Sequence, residues 1–399
     1  MIIQEIMYKI IKKSVSIGKR FVSWHYVNKS SKRIIDNDPI KICFLVQMSE
    51  LWDKEKAIYN ALNNDNHFYV ELVVIPPYDI VNKRIDTLYT DNYFFETYPQ
   101  AIRAYRENKW LDIKEKKHDY VFYQRPYNAY LPKEYRSTEV MKYSRCCYIP
   151  YAFWPLENFL CGYNEDFYDS VYYAFMESEL NAKALQKYGR YKGRILFCGY
   201  PQLENQKMHE IGEIKNVLWA PRWAYDDNIG GSHFLEYKDE ILDFFTNTEE
   251  IRLLIRPHPL AFDNYIAKGL MTYEEVNAYK EKVFNCGAAF DQNRLIEDTF
   301  RTVDVLVSDI SSIIFPYMTT GKPVIFCDSG IKQSPAFADL VQGFYVAHSF
   351  KEVLHYLTKL IDGDDPLKEI RKEIACKIAK ENSHSTDRIV STLLNGIGI

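Results

Sequence analysis

The chain has 399 residues, 47% of them hydrophobic, which is more than one core usually holds and points to two domains. Its 54 acidic and 50 basic residues leave a net charge of −4, so the chain as a whole carries no electrostatic signal for nucleic acid. The 8 cysteines include no C-x-x-C pair, which excludes the common zinc and redox-dithiol spacings.

No cleavable signal peptide and no unbroken apolar span of about 20 residues is legible. Residues 1–27 are predicted to form a helix in which Ile2, Ile3, Ile6, Phe21 and Trp24 are interleaved with Lys9, Lys12, Lys13, Lys19 and Arg20. An apolar face beside a basic one suits an anionic membrane surface; a helix packed on the rest of the protein is the plain alternative. With a polar linker over 28–38, this makes a first segment, 1–38.

Residues 39–200 read as an N-terminal α/β domain. Strands are expected over 41–46, 70–75, 120–123, 145–149, 169–175 and 195–197, with helices over 52–62, 100–109 and 179–188, a variable connection over 80–99 and a turn over 189–193. A second α/β domain spans 201–375, with strands over 217–220, 251–255, 303–307 and 323–326 and helices over 234–245, 273–284, after Ser311 and over 351–360. Further helices at 366–378 and 385–394 lead into a C-terminal segment, 376–399. Short apolar strands alternating with helices mark mostly parallel sheets, so the expected architecture is two such domains facing across a cleft.

In parallel sheets, residues just beyond the carboxyl ends of strands line the ligand crevice. Arg256 and His258 follow one strand; His258, between two prolines, can donate to a phosphate oxygen or move a proton near neutral pH, and Arg256 can grip a phosphate with two donors. Ser308, Asp309, Ser311 and Ser312 follow another. A helix starting there would offer free N–H groups and hydroxyls to a phosphate, with simple helix capping as the alternative. Arg222, Asp226, Asp227 and His233 surround a glycine-bearing loop, with Asp227 and His233 as further proton-transfer candidates, and Lys322 adds a positive charge or is a solvated turn residue. Arg125, Tyr127, Tyr151 and Glu177 follow first-domain strands and are candidates to border an anionic acceptor. No Walker or Rossmann glycine pattern is present.

The segments Arg256-Pro257-His258-Pro259-Leu260, Ser308-Asp309-Ile310-Ser311-Ser312 and Thr320-Gly321-Lys322-Pro323-Val324-Ile325-Phe326 resemble the CDP-glycerol glycerophosphotransferase family, which includes wall teichoic acid primases and polymerases and capsule enzymes. Trp219-Ala220-Pro221 and Gly199-Tyr200-Pro201 match in order and spacing. The resemblance implies a glycosyltransferase B-like fold whose last helix crosses back to the first domain. It implies a CDP-glycerol or CDP-ribitol donor, with His258 at the donor diphosphate and residues 308–312 holding donor phosphate. It also implies peripheral attachment to the cytoplasmic face of the cell membrane. The polymerases' first-domain His-Gly-Thr-Pro segment, the expected acceptor-side base, has no counterpart here.

The expected reaction is transfer of glycerol phosphate or another alditol phosphate to a hydroxyl of a lipid-linked or polymeric glycan, with release of CMP. The partners are thus the CDP-alditol donor, the glycan acceptor and an anionic membrane surface, with no nucleic acid. No permanently bound cofactor or metal cluster is expected, although Mg2+ held mainly by the donor diphosphate would leave no trace in sequence. A nucleotide-sugar glycosyltransferase of the same fold and a non-catalytic phosphoglycan-binding protein are the rival readings.

Overall fold

The computed structural model describes residues 2–32, 39–79, 83–87, 92–160, 165–188, 194–206, 208–209, 212–225, 230–248 and 250–396, with side chains given for all of these except 2–13, 31, 165 and 188. Asp226, Asp227, Cys161, the predicted turn at 189–193 and residues 33–38 of the predicted linker lie outside the described residues. The chain divides into two compact units, one formed by Met1–Tyr151, Gly162–Glu204 and Asn382–Ile399 and the other by Ala152–Cys161 and Asn205–Glu381.

The first unit is built on a seven-stranded parallel sheet whose strands, in chain order, are β1 (Ile40–Val46), β2 (Phe68–Val74), β3 (Ile102–Arg103), β4 (Tyr120–Tyr123), β5 (Arg145–Tyr148), β6 (Tyr173–Met176) and β7 (Ile195–Phe197). Their spatial order is β7-β6-β5-β4-β1-β2-β3. Chain progression therefore reverses between β1 and β4, which pair directly, with Leu45 opposite Tyr123. Continuous apolar runs form these strands because both faces of a parallel sheet are covered: every residue of β4 and β5 is buried. Phe44 stacks on Phe122 with ring centroids 4.7 Å apart. Trp52 Nε1 donates to the Tyr98 hydroxyl at 2.7 Å.

The amino-terminal helix runs from Ile2 to Ser31, past the 27 residues expected. It buries Ser23 and Val27, and Arg20 pairs with Asp169 at 3.4 Å. Phe21 is 64% exposed and Trp24 51%, and Val15, Ile17 and Val22 are exposed as well. The last helix, Ser385–Asn395, belongs to this unit. Arg388 Nη2 donates to the Cys198 carbonyl at 2.8 Å, and Tyr120 donates to the Leu393 carbonyl at 3.3 Å.

The second unit carries a six-stranded parallel sheet of β8 (Asn216–Ala220), β9 (Arg252–Ile255), β10 (Ala289–Phe290), β11 (Val305–Asp309), β12 (Val324–Cys327) and β13 (Tyr345–Ala347). The spatial order, β10-β9-β8-β11-β12-β13, repeats the pattern of the first unit, with the reversal now between β8 and β11. Registers of Ala220 with Ser308 and Trp219 with Ile255 bring the ends of the three central strands level. Beneath them, Trp219 stacks on Phe234 at 5.6 Å in a core shared with Ile241, Tyr265 and Val307.

Several expectations are corrected. Residues 100–109 are not a helix: β3 is followed by a hairpin pairing Tyr105–Arg106 with Lys109–Trp110. Glu107 and Asn108 at its tip have φ of 53° and 61°, as a tight hairpin turn requires, and Tyr105 packs on Trp110 with centroids 4.8 Å apart. The strand expected over 169–175 begins only at Tyr173, because Glu165–Ser170 is helical. The connection expected over 80–99 contains the helix Tyr93–Thr97.

Two buried glutamates of the first unit respond to pH in opposite senses. Glu71 accepts from His118 at 2.7 Å and pairs with Lys116 at 3.0 Å. The His118 hydrogen bond and the Lys116 charge outweigh desolvation and hold Glu71 at about 2. Its stabilisation is therefore complete above the ordinary value of 4.5 and is lost as pH falls from there toward 2. Glu55, 1% exposed, has no partner for either carboxylate oxygen among the described residues. Burial pushes it up to about 8, so its cost to the folded state grows as pH rises from 4.5 toward 8. Urea unfolding should show Glu71→Gln destabilised by about 3 kcal/mol at pH 7, and Glu55→Gln stabilised by about 4 kcal/mol at pH 8 with little change at pH 4.

Candidate functional site

The end of β11 supplies the central group. Asp309 is 1% exposed, and its carboxylate collects three donors. Oδ2 accepts from the Arg222 backbone N–H at 2.7 Å and the His233 backbone N–H at 3.3 Å. Oδ1 faces His233 Nδ1 at 2.6 Å. One carboxylate thus joins the residue that follows β8 to the start of the helix Phe234–Thr246, at the point where chain progression reverses.

The loop between β8 and that helix is closed by local bonds. Ser232 N–H donates to the Ala224 carbonyl at 3.2 Å. The Ser232 and Tyr265 hydroxyls both donate to the Arg222 carbonyl at 2.6 Å. Gly231 has φ of +92°, and a Cβ there would lie 2.4 Å from Ser329 Oγ, so only glycine brings the chain round to place His233. The imidazole then stacks on Tyr237, with centroids 5.0 Å apart. Desolvation lowers the proton affinity of His233, but the Asp309 hydrogen bond and charge, with Glu236 and Asp328, more than offset it and raise its pKa above 6.5. With Nδ1 directed at Asp309, Nε2 is the ring nitrogen available for proton transfer.

Arg222 Nη1 donates to the Ile310 carbonyl at 2.8 Å, and desolvation draws its guanidinium below the usual value while Asp309 opposes the shift. His258 lies beyond β9, and its ring is 5.6 Å from Trp223. Its Nδ1 accepts the Leu260 N–H at 3.1 Å. The ring edge is exposed, yet the density of protein around it desolvates the imidazole and, together with the Arg222 charge, holds it down to about 4. With Nδ1 accepting the Leu260 N–H, the neutral ring carries its proton on Nε2, which can donate a hydrogen bond.

The structure divides the remaining candidates. Ser308 is fully buried and donates to the Ala220 and Asp309 carbonyls at 3.1 and 2.8 Å. It holds strand ends together and does not open onto a ligand. Ser311 and Ser312 are half-buried in the turn after β11, and the helix that follows, Ile314–Met318, is a short one. The expected anion cradle therefore narrows to these two residues. Arg256 is turned toward the end of β10, where Nη1 meets Asp291 at 2.5 Å and the Asn293 carbonyl at 2.8 Å.

Lys322 is corrected outright. Only 4% exposed, it donates to the Phe300 and Val303 carbonyls at 2.9 and 2.6 Å. Its ammonium closes the carboxyl end of the helix Ile296–Thr302, whose last carbonyls lack helical partners.

In the first unit, Arg125 follows β4 and Tyr127 and Tyr151 share a hydroxyl contact of 2.9 Å. Glu177 is corrected from a rim residue to a fully buried one whose Oε1 accepts from Asn181 at 2.7 Å. Residues without a sequence signal include Tyr265 and Tyr237, which support Arg222 and His233 from helices that read as ordinary core. The orienting role of Asp309 was not legible either: it depends on a contact across 76 residues of chain.

A family model described as CDP-glycerol:poly(glycerophosphate) glycerophosphotransferase matches residues 161–395. No curated protein gives a significant match. Among solved structures, the wall teichoic acid polymerase TagF is similar at 13% identity and a TM-score of 0.54, with 98% of this chain and 97% of that chain covered. UDP-GlcNAc 2-epimerase from Neisseria meningitidis bound to UDP-GlcNAc is similar at 11% identity and a TM-score of 0.57, covering 89% and 100%. The S. aureus MnaA–UDP co-structure is similar at 13% identity and a TM-score of 0.54, covering 90% and 98%. These likenesses establish the fold, a glycosyltransferase B-like pairing of two parallel-sheet units with an amino-terminal helix.

The two site histidines should titrate far apart. In imidazole NMR spectra, His233 should lose its proton above pH 6.5 and His258 should stay neutral down to about pH 4. Asp309→Asn should bring the His233 transition below that of the parent protein; an unchanged transition would separate the two side chains in solution.

Proposed function

The chain belongs to the CDP-glycerol:poly(glycerophosphate) glycerophosphotransferase family, and from that premise we propose that it transfers glycerol phosphate, or another alditol phosphate, from a CDP-linked donor to a hydroxyl of a glycan or teichoic acid- or capsule-type polymer. The observation that carries this reading is the Asp309–His233 pair at the β8/β11 reversal, beside the Arg222 guanidinium.

The acceptor oxygen attacks the phosphorus that bears the alditol, the bond from that phosphorus to the bridging oxygen breaks, and CMP leaves. His233 Nε2 takes the proton of the attacking hydroxyl, while Asp309 holds the ring orientation and stabilises the imidazolium that forms. His258 Nε2–H, Arg222, and the Ser311 and Ser312 hydroxyls and amides face the charge that grows on the transferred and leaving phosphates. Asp227 lies outside the described residues and receives no role. Among the described residues, no group of three His, Cys, Asp or Glu is arranged to hold a metal ion, and no step is routed through one.

We place the protein at the cytoplasmic face of the cell membrane as a peripheral protein. No described helix is long and apolar enough to cross a membrane. Support comes from Phe21, Trp24, Val15 and Ile17, exposed on a helix that also displays Lys19. Such a surface is costly in water and is matched by a lipid interface with anionic headgroups.

Purified protein incubated with CDP-glycerol, CDP-ribitol and nucleotide sugars, with lipid-linked glycan as acceptor, should release CMP and add phosphoalditol to the glycan. Release of a nucleoside diphosphate with transfer of a sugar would establish the glycosyltransferase reading in its place. The kcat/KM should rise with pH through a transition above 6.5, since the base must be neutral. His233→Ala should lower kcat by roughly 10²–10⁴-fold. Phe21→Ser with Trp24→Ser should weaken sedimentation with phosphatidylglycerol vesicles by roughly tenfold or more, from the lost apolar burial.

A further inference from the structure

The first unit repeats the strand order of the second, so its own reversal point, between β1 and β4, is the corresponding place for a ligand. Arg125 stands there, just beyond β4. Among the described residues it forms no ion pair, and its Nε is buried with no hydrogen-bond partner. Its side-chain hydrogen bond is to a neutral group: Nη2 donates to Gln47 Oε1 at 3.0 Å. Desolvation draws the guanidinium below its usual value.

The neutral contact is held rigidly. Gln47 Nε2 donates to the Pro76 and Tyr130 carbonyls at 3.0 and 3.1 Å, which turns Oε1 toward Arg125. The Gln47 backbone N–H donates to Gln124 Oε1 at 2.9 Å. The guanidinium also lies 5.1 Å from the centre of the Tyr130 ring, and Tyr130 packs on Tyr127 at 5.2 Å. Tyr127 in turn meets Tyr151. The protein has therefore partly dehydrated a cation, fixed its direction with an amide, given it no carboxylate partner among the described residues and set tyrosine rings around it. A desolvated charge without a counterion is unfavourable in the free protein and becomes favourable when an anion arrives.

We propose that Arg125 is an anion subsite for the acceptor: it binds a phosphate or carboxylate carried by the acceptor glycan, while Tyr127, Tyr130 and Tyr151 pack against the adjoining sugar ring. This deepens the transferase reading and rests on it for the word acceptor. It assigns Arg125 as the residue that reads the acceptor's charge, so a neutral sugar chain alone does not fill the site.

The test is direct binding by the full chain, without nucleotide, of glucose 6-phosphate, glucuronic acid and glucose, followed by calorimetry or tyrosine fluorescence. At least one acidic sugar should bind about tenfold or more tightly than glucose, as expected for a charge-assisted hydrogen bond. The better of the two acids identifies phosphate or carboxylate as the anion. Arg125→Gln should remove the preference with its melting temperature within about 2 °C of the parent, and Arg125→Lys should retain part of it. Equal binding of all three sugars, or a preference that survives Arg125→Gln, overturns the subsite. Because no donor is present, the result is separable from the reaction assignment: acidic-sugar binding without CMP release would sink the reaction alone, and CMP release without acidic-sugar preference would sink the subsite alone.

Discussion

A buried carboxylate cannot remain without donors, and the end of β11 shows what that constraint builds. Asp309 must be satisfied, and the groups within reach are the amide after β8 and the amide and ring of His233. Meeting that need folds the β8 loop, fixes the start of the following helix and sets the imidazole's orientation at once. The glycine at 231, the Ser232 and Tyr265 hydroxyls on the Arg222 carbonyl, and the Tyr237 ring are consequences of the same arrangement.

The two histidines illustrate how position divides chemistry between identical side chains. Each has Nδ1 tied down, but His233 is tied to a carboxylate and His258 to a backbone N–H. The first partner accepts a proton and favours the charged ring. The second donates one and favours the neutral ring, a preference that Arg222 reinforces. A carboxylate-paired imidazole at a helix start and an imidazole bonded to a backbone N–H beyond β9 thus occur in one unit, a difference that the proposed phosphoryl transfer would use.

Much of the framework was legible because parallel strands are written as continuous apolar runs: 120–123, 217–220 and 251–255 needed no tertiary knowledge. The two-residue strand Ala289–Phe290 and the hairpin at Tyr105–Trp110 are too short to leave a periodic signal, and the second was hidden by residues that also suit helices. Of the site, the positions after strands were legible, and their roles were not. Whether Ser308 faces a ligand or Ala220, and whether Lys322 reaches a phosphate or a helix end, is decided by which way one side chain turns. In both cases a motif residue that looked like chemistry turned out to hold backbone carbonyls. His258 and Arg222 lie where the sequence placed them, just beyond β9 and β8, one with its ring bonded to the Leu260 N–H and the other with its guanidinium on the Ile310 carbonyl.

Trp223 lies against His258, with the two rings 5.6 Å apart. An indole is a sensitive optical neighbour for an imidazole, since its emission depends on the charge and hydrogen bonding of what stands beside it. The pair therefore gives the protein an intrinsic light-emitting gauge of the His258 ring's charge and hydrogen bonding, one that needs no label and no turnover to be read.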